Sequence, residues 1–323
     1  MDLTLAICVY NAERFIERTL ESVMAQTAGD FQLLIVNDCS TDRSAEIIER
    51  FFAKNPRQYE LVNLEENRGI CHARHYAERK ASTRYMMFLD ADDILLPQAV
   101  EKLWNKITSD PDLMAVGCYL DYIDEHNRKI GGGLYLGETS KSKFLEKAAA
   151  GKLFFMQPTA IYNRELALSV GGYEIDGFPA GKPRYQDYCE DLDLWTRMSD
   201  LYTQGKAIVV LPEVLCYYRK GSGLSSNSFY MMLKMRYTKR NVKRRRAGER
   251  NLTFNEFYET LSDEDLARLK KEASAADNLR NGVMLLKRGN IFKGGWLTAK
   301  SVLSRPGYFV EKLRKNVFRL GVR

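Results

Sequence analysis

Three acidic residues lie within four positions of the chain, directly after a short apolar segment. Asp90, Asp92 and Asp93 follow the run 85–89, whose apolar and aromatic content predicts a buried strand. Buried carboxylates are costly unless a cation or hydrogen-bond donors neutralise them. Mg²⁺ and Mn²⁺ prefer carboxylate oxygens and are often shared with substrate phosphates. The cluster therefore predicts either a divalent-metal site or a solvated acidic turn before a helix that begins near Pro97.

A second acidic group, a pair of adjacent residues, lies about a hundred residues later. Glu190 and Asp191 follow a long polar stretch, Asp176 to Cys189, and precede an apolar segment that contains Leu192, Leu194 and Trp195. A carboxylate between a polar loop and a core segment loses part of its solvation, which raises its pKa toward the range of a general base. The alternative is an acidic helix N-terminus with a favourable dipole interaction. The two interpretations are compatible.

The elements that must position these acids alternate along the first third of the chain. Strands are predicted over 3–9, 31–36, 59–64 and 85–89, and amphipathic helices over 13–26, 44–54 and 70–81. Such alternation predicts a parallel, doubly wound sheet that binds ligands beyond the carboxyl ends of its strands. Asn11, Asp38 and Asp90 each follow a strand, so we expect them to converge at one edge of the sheet.

Local signals give further expectations. Asn11 is the expected N-cap of the first helix, and Thr41 or Asp42 that of the second. In the mixed region 106–225, Gly131 to Gly133 predict a hairpin or loop, and two strands are expected over 207–211 and 215–218. The polar stretch 176–189 has the length of a functional or mobile loop. From Asn227 onward the pattern is helical.

Size and composition favour a large folded protein. The chain has 323 residues, 45% of them hydrophobic, with no apolar run long enough to span a bilayer. Its first residues show no basic-then-apolar pattern, so no signal peptide is expected. The six cysteines are scattered and form no C-x-x-C pair, which is typical of buried reduced thiols in a cytosolic protein.

Charge divides the chain into an acidic body and a basic tail. Residues 1–230 carry a net charge of −7, whereas residues 231–323 carry +14. Basic residues crowd 234–250, and in 309–320 they alternate with apolar ones at helical spacing. Such helices can lie on anionic membranes. The alternative is a helical extension packed on the body or on a second copy. Nucleic-acid binding is not expected, because the run lacks interleaved aromatics.

Five segments taken in order resemble glycosyltransferase family 2, the inverting GT-A enzymes that use nucleotide-diphosphate sugars. The resemblance covers residues 3 to about 226, and the segments are 9–13, 36–42, 67–74, 90–93 and 190–195. The chain departs from the family pattern at Cys8, Cys39 and His75, where Pro, Gly and Asn are usual. It also lacks the His that often follows the Tyr-Arg pair ending at Arg219, which puts a His contact to metal or diphosphate in doubt.

The resemblance implies an α/β fold of the GT-A type, with a Rossmann-like, mostly parallel, doubly wound sheet and a C-terminal helical extension. It implies a catalytic domain over 1–226, with a nucleotide-binding half (1–105) and an acceptor-binding half (106–226). Residues 227–323 would form the basic helical extension.

The resemblance also implies roles for single residues. Asp92 would bind Mn²⁺ or Mg²⁺, Asp90 would contact the ribose or a metal-bound water, and Asp191 would be the catalytic base beside Glu190. Arg74 would face the nucleotide or hold the acidic cluster, unless it is a structural ion pair. The other residues implied on the nucleotide side are Val9, Tyr10, Asn11, Glu13, Asp38, Gly69 and Ala91. On the diphosphate or acceptor side they are Trp195, Arg219, Lys220 and Ser225.

The activity implied is transfer of a hexosyl or N-acetylhexosaminyl group from a UDP-sugar to an acceptor hydroxyl, with inversion, in bacterial surface polysaccharide or glycolipid synthesis. The implied partners are the donor and a glycan or lipid-linked acceptor. The basic tail adds an anionic membrane surface or a second copy in a homodimer, and the expected location is the cytoplasm, or the inner face of the cell membrane if the tail binds it. Two alternatives are a non-catalytic nucleotide-sugar binder and a nucleotidyltransferase. A binder would lack an acid of the metal or base motif, and a nucleotidyltransferase would carry a Gly-rich loop with Arg after the first strand.

Overall fold

The structure is a computed structural model that describes residues 1–221, 224–287, 289–305 and 307, without the side chains of Ser225 and Lys287. Its first part alternates strands and helices as predicted. The strands are β1 (Leu3–Val9), β2 (Gln32–Asn37), β3 (Glu60–Asn63) and β4 (Tyr85–Asp90). The helices are α1 (Ile16–Met24), α2 (Ser44–Lys54) and α3 (Ile70–Lys80).

These four strands are parallel and follow the spatial order β3-β2-β1-β4. Cys8 of β1 pairs with Val36 of β2 and with Asp90 of β4, so the three strands end at the same level. The predicted convergence of the loops that follow them is therefore confirmed. Burial on both faces explains the near-continuous apolar sequences of β1, β2 and β4.

The remaining strands extend the sheet with mixed directions. They are β5 (Ile94–Leu95), β6 (Leu113–Ile123), β7 (Lys129–Leu134), β8 (Ala160–Asn163) and β9 (Ala207–Arg219). Strand β8 is antiparallel to β4 and β6, β9 is parallel to β6, and β5 and β7 are antiparallel to β9 and β6. The helices between them are α4 (Ala99–Thr108), α5 (Lys141–Ala149), α6 (Arg164–Ser169) and α7 (Glu190–Met198).

Three local expectations are wrong. The N-cap of α2 is Arg43 and not Thr41 or Asp42, because α2 begins at Ser44. Asn11 does not cap α1, which begins at Ile16 after Phe15, because Asn11 has φ of 49° and its side chain accepts from another loop. The two strands expected over 207–211 and 215–218 form the single strand β9, with a register shift opposite Tyr119 instead of a break. Gly131 to Gly133 lie in β7, which forms the expected hairpin with β6.

The described C-terminal part is mainly helical, as predicted, with non-helical links such as 247–253 between the helices. It contains α8 (Ser228–Arg246), α9 (Phe254–Glu259), α10 (Asp263–Lys287) and α11 (Ile291–Ser304). The amphipathic helix expected over 309–320 lies outside the described residues. In the described part of the chain, no helix is both long and apolar enough to cross a membrane.

The chain divides into two compact units that are interleaved in sequence. One comprises Met1–Gly221 and Thr238–Asn251, the other Ser222–Tyr237 and Leu252–Arg323. In the first unit, Arg245 and Arg246 both form ion pairs with Asp200. Part of the basic run 234–250 is therefore neutralised within the protein.

Candidate active site

The loop after β1 is bound to the loop after β2. The backbone N–H of Asn11 donates to Ser40 Oγ at 3.0 Å, and Asn11 Oδ1 accepts from the Thr41 N–H at 2.8 Å. Glu13 Oε2 accepts from the backbone N–H of Arg43 at 3.3 Å. These contacts hold the loops together and leave the ring of Tyr10, which is 49% exposed, on the surface at the end of β1. An exposed ring in that place can stack on a flat ligand.

The carboxylate of Asp38 organises the turn before α3. It is buried and accepts from Asn67 Nδ2 at 2.7 Å and from the backbone N–H groups of Arg68 and Gly69 at 3.0 and 2.8 Å. Burial raises the pKa of Asp38, although the N–H donors oppose that shift. Val9 is buried, and its carbonyl accepts from the Asp38 N–H at 2.8 Å, which ties the carboxylate to the end of β1.

Gly69 lies where no other residue fits without strain. Its φ is +100°, and a Cβ at this position would lie 2.1 Å from Asp187 Oδ2. Asp187 is buried, accepts from the Cys71 N–H at 3.0 Å, and has its pKa raised to about 6 by burial. The stretch before the Glu190–Asp191 pair is thus anchored at the start of α3.

Arg184 supplies a second anchor. Its Nη1 donates to Asn67 Oδ1 at 2.6 Å, and its Nη2 donates to the Asn67 carbonyl. Neither Arg184 nor Asp187 was a predicted site residue, and Asn67 was noted only as part of a motif. The one signal in the sequence was the length and polarity of the stretch 176–189.

Arg74 lies between the two acidic motifs. Its side chain is 3% exposed, Nη2 donates to Asp90 Oδ1 at 2.6 Å, and Nη1 donates to Glu190. Burial alone would lower the pKa of Arg74, but the charges of Asp90 and Glu190 raise it well above its usual range. The guanidinium therefore stays charged and joins the end of β4 to the start of α7.

The three acids after β4 have different surroundings. Asp93 is 1% exposed and Oδ1 accepts from the Arg219 N–H at 2.9 Å, so it holds the chain rather than facing solvent. Asp90 keeps 29% of its side chain exposed. The pKa of Asp92 is raised to about 6, first by burial and then by the charge of Asp90. Ala91, between them, is buried, and its carbonyl accepts from Thr19.

These surroundings suit a cation only when further ligands come from outside the protein. Among the described residues, no three His, Cys, Asp or Glu side chains form a group that could hold a metal ion. Asp92 nevertheless has a raised pKa beside a second carboxylate, so a positive charge there would stabilise both. Substrate phosphates commonly complete such sites.

Two of the residues expected on the diphosphate or acceptor side, Trp195 and Arg219, make structural contacts. Trp195 is fully buried and its Nε1 donates to the Met156 carbonyl at 3.0 Å, so its predicted place is corrected to the core. The Arg219 side chain donates to the Asp92 carbonyl at 2.8 Å and to Asn127 Oδ1 at 2.6 Å. These hydrogen bonds stabilise the acidic turn.

Lys220 lies beside Arg219, with its Nζ over the rings of Tyr122 and Tyr218 at 4.8 and 5.7 Å. The side chain of Ser225 lies outside the described part of the chain.

The Glu190–Asp191 pair opens α7. Cys189, which precedes it, has a left-handed φ of 52°, so the chain turns sharply before the two acids. Burial raises the pKa of Glu190 and of Asp191, while the charge of Arg74 opposes the shift in both. Burial therefore raises the pKa of both carboxyl groups in the direction that the sequence predicts. The pair also lies at a helix N-terminus, which is the alternative interpretation.

Helix α7 contains a second buried ion pair, between Asp193 and Arg197. Asp193 Oδ2 accepts from Arg197 Nε at 3.0 Å, and both side chains are 6% exposed. Asp193 Oδ1 accepts from Thr238 Oγ1 at 2.9 Å. The position of the acidic pair therefore depends on α8 as well as on the sheet.

The chain is similar in sequence to known glycosyltransferases. The model of the family described as "Glycosyl transferase family 2" matches residues 4–170. An uncharacterized glycosyltransferase of Haemophilus influenzae is 26% identical over 70% of this chain and 68% of its own length. The amylovoran biosynthesis glycosyltransferase AmsE of Erwinia amylovora is 27% identical over 68% of this chain and 76% of its own. By contrast, the match to the teichoic acid poly(glycerol phosphate) polymerase of Staphylococcus epidermidis spans only 16% of that protein, at 39% identity over 35% of this chain.

Solved structures share the fold. TarS 1–349 of S. aureus, solved with UDP-GlcNAc, has a TM-score of 0.55 and 19% identity, covering 94% of this chain and 89% of that one. The mannosyltransferase PcManGT of Pyrobaculum calidifontis, solved with GDP-Man and Mn²⁺, has a TM-score of 0.54 and 18% identity, covering 100% and 81%. The predicted fold class is confirmed.

Proposed function

Because the chain belongs to glycosyl transferase family 2, and is thus a glycosyltransferase, we propose that it transfers a sugar from a UDP-sugar to an acceptor hydroxyl with inversion. The observation that carries the proposal is the buried guanidinium of Arg74, which contacts Asp90 of one acidic motif and Glu190 of the other. One positive charge thus links the group that would bind the donor to the group that would activate the acceptor.

We assign donor binding to the carboxyl ends of β1, β2 and β4. Tyr10 would stack on the uracil, and Asp38 would accept from its imide N–H through a lone pair that the turn leaves available. Asp90 would contact the ribose. The other donor-side residues we propose are Val9, Asn11, Glu13, Gly69, Arg74 and Ala91. The UDP-GlcNAc named for TarS supports uridine as the nucleoside of the donor. The GDP-Man named for PcManGT makes guanosine the competing nucleoside.

A divalent cation, Mn²⁺ or Mg²⁺, would be held by Asp92 with Asp90 beside it. The raised pKa of Asp92 supports this assignment, because burial and a neighbouring carboxylate leave its negative charge poorly compensated. When bound, the cation supplies positive charge to the leaving diphosphate. Asp93 and Arg219 would keep the acidic turn in place.

Asp191 would be the base. It accepts the proton of the acceptor hydroxyl, the oxygen bonds to the anomeric carbon, and the bond to the diphosphate breaks on the opposite face. A single displacement of this kind inverts the anomeric centre. Burial raises the pKa of Asp191, which makes its carboxylate a stronger proton acceptor. Glu190 would orient Asp191 through its contact with Arg74.

The acceptor we propose is a glycan or lipid-linked glycan in bacterial surface polysaccharide or glycolipid synthesis, which the names of the E. amylovora and S. epidermidis relatives support. Residues 1–226 would act as the catalytic domain, with 1–105 binding the nucleotide and 106–226 the acceptor. Residues 227–323 would bring the enzyme to the cytoplasmic face of an anionic membrane, where such acceptors reside.

A donor screen tests the activity. Purified protein with Mn²⁺ is offered each nucleotide sugar, and release of the nucleoside diphosphate is measured with and without acceptor extract. Asp191→Asn should lower turnover at least about a hundredfold, the lower range of general-base contributions, while UDP affinity stays close to wild type. Asp176→Asn makes the same change in the preceding polar stretch and should keep turnover near wild type.

Three results would contradict the proposal. Turnover of Asp191→Asn within tenfold of wild type removes the base assignment. Nucleotide-sugar binding without release of any diphosphate indicates a non-catalytic binder. Release of pyrophosphate from a nucleoside triphosphate and a sugar phosphate indicates a nucleotidyltransferase.

A further inference from the structure

Helices α10 and α11 pack against each other through small residues. A Cβ on Gly282 would lie 2.5 Å from Thr298 Oγ1 and 2.9 Å from the Gly294 carbonyl, and a Cβ on Gly294 would lie 2.8 Å from the Leu286 backbone N. Ser301 is buried and donates to the Ala275 carbonyl at 2.7 Å. The face of α11 that meets α10 therefore has no room for large side chains.

The opposite face of α11 carries the large apolar side chains. Phe292, Trp296 and Leu303 are 94%, 67% and 81% exposed, and Ala299 between them is also exposed. Their spacing of four, three and four residues places all four in one stripe. A helix of a water-soluble protein normally turns such a stripe toward its core, so this exposed apolar stripe indicates an interaction surface.

The basic residues around α11 indicate an anionic partner. The stretch from Asn278 to Val310 contains six Lys and Arg residues and no Asp or Glu. Lys293 and Lys300 are exposed and flank the stripe on one side. Aromatic and aliphatic residues on one face, with lysines at the border and small residues behind, are typical of helices that lie in the interface of an anionic bilayer.

We propose that α11 is a membrane-docking helix whose Phe292–Trp296–Leu303 stripe enters the headgroup region of an anionic lipid surface, with Lys293 and Lys300 contacting lipid phosphates. The inference deepens the membrane docking proposed above and rests on it. It moves the contact from the run 234–250, where Arg245 and Arg246 are paired with Asp200, to the outer face of α11.

Vesicle flotation tests the proposal. Full-length protein is mixed at low salt with vesicles of phosphatidylcholine alone, or of phosphatidylcholine with 30% phosphatidylglycerol. Wild type should float with the anionic vesicles, and binding should weaken as salt screens the lysines. Phe292→Ser with Trp296→Ser should reduce the partition coefficient at least about tenfold, since two buried rings are lost. Phe155→Ser, which removes another half-exposed ring, is the matched control.

Trp296 provides a reporter of the contact itself. Its fluorescence should shift to the blue on anionic vesicles and be quenched by brominated acyl chains, and the Trp296→Phe variant should bind equally but lose this signal. Lys293→Glu with Lys300→Glu should reduce binding to anionic vesicles more than binding to neutral ones. Circular dichroism of each variant checks that the helices are formed.

Each contrary outcome is distinct. Equal flotation of wild type and the Phe292/Trp296 double variant, with no quenching, places the membrane contact elsewhere and overturns this inference. No flotation at low salt overturns it together with the proposed membrane docking. If sedimentation velocity shows a dimer that the double variant dissociates, and no vesicle binding occurs, the stripe binds a second copy instead. Sugar transfer is measured without vesicles, so the donor screen tests the proposed activity independently of membrane docking.

Discussion

Replacing Gly69 by alanine tests the contact between the start of α3 and the stretch before the catalytic pair. Two costs are expected. A non-glycine residue at φ of +100° and ψ of 169°, a conformation essentially restricted to glycine, costs roughly 1–3 kcal/mol, and relieving the overlap of a Cβ with the Asp187 carboxylate 2.1 Å away costs roughly 1–3 kcal/mol. We therefore expect the free energy of unfolding to fall by about 2–6 kcal/mol.

Urea denaturation measures this loss, and two further variants separate its causes. Gly181 has φ of +85°, and a Cβ added there would meet no atom within 4 Å, so Gly181→Ala should cost only the backbone term of roughly 1–2 kcal/mol. Asp187→Ala removes the carboxylate that the new methyl group would meet. In the Gly69→Ala/Asp187→Ala double variant the overlap term should disappear, which gives a coupling energy of about 1–3 kcal/mol.

The same variants have a functional readout. Because the Gly69 N–H donates to Asp38, Gly69→Ala should also weaken UDP binding, whereas Gly181→Ala should not. Equal stability losses for Gly69→Ala and Gly181→Ala, or a coupling energy within about 0.5 kcal/mol of zero, would refute the reasoning.

Three further changes give separate tests. Arg74→Met should move the acid limb of the kcat–pH profile to higher pH, because burial raises the pKa of Asp191 and the lost guanidinium no longer opposes it; a limb that stays or moves down contradicts this. Asp92→Asn should weaken Mn²⁺-dependent UDP binding at least about tenfold by calorimetry, and unchanged metal dependence removes Asp92 as a ligand. Asp193→Ala should destabilise the protein by about 3–5 kcal/mol in urea, since it leaves the buried charge of Arg197 without its carboxylate partner; a loss below about 1 kcal/mol would contradict that.

Regular periodicity predicted the first part of the fold. The alternation of apolar runs and amphipathic segments located β1 to β4 and α1 to α3, because burial of a parallel sheet on both faces leaves a strong local pattern. The start of α1 could not be predicted, because Asn11 bonds a loop about thirty residues away instead of its own helix. The continuity of β9 depends on its pairing with β6, which local composition does not reveal.

The acids of the site were visible in the sequence because each follows a strand or opens a helix. The residues that contact these acids could not be predicted from the sequence. Arg74 reaches Glu190 across 116 positions, and Arg184 reaches Asn67 across 117, so only the folded chain brings these groups together. The apolar pattern placed Trp195 in a core segment and the motif placed it beside the ligand; its burial agrees with the pattern and not with the motif.

The interleaving of the two compact units limits how this protein can be recombined with its relatives. The chain passes from one unit to the other after Gly221, Tyr237 and Asn251. A chimera joined at the first point would take Thr238 from a different parent than its partner Asp193, and one joined at the last would divide the unit that contains Ser222–Tyr237. No single crossover keeps the contacts of both units from one parent, so exchange of the whole second unit requires three crossovers.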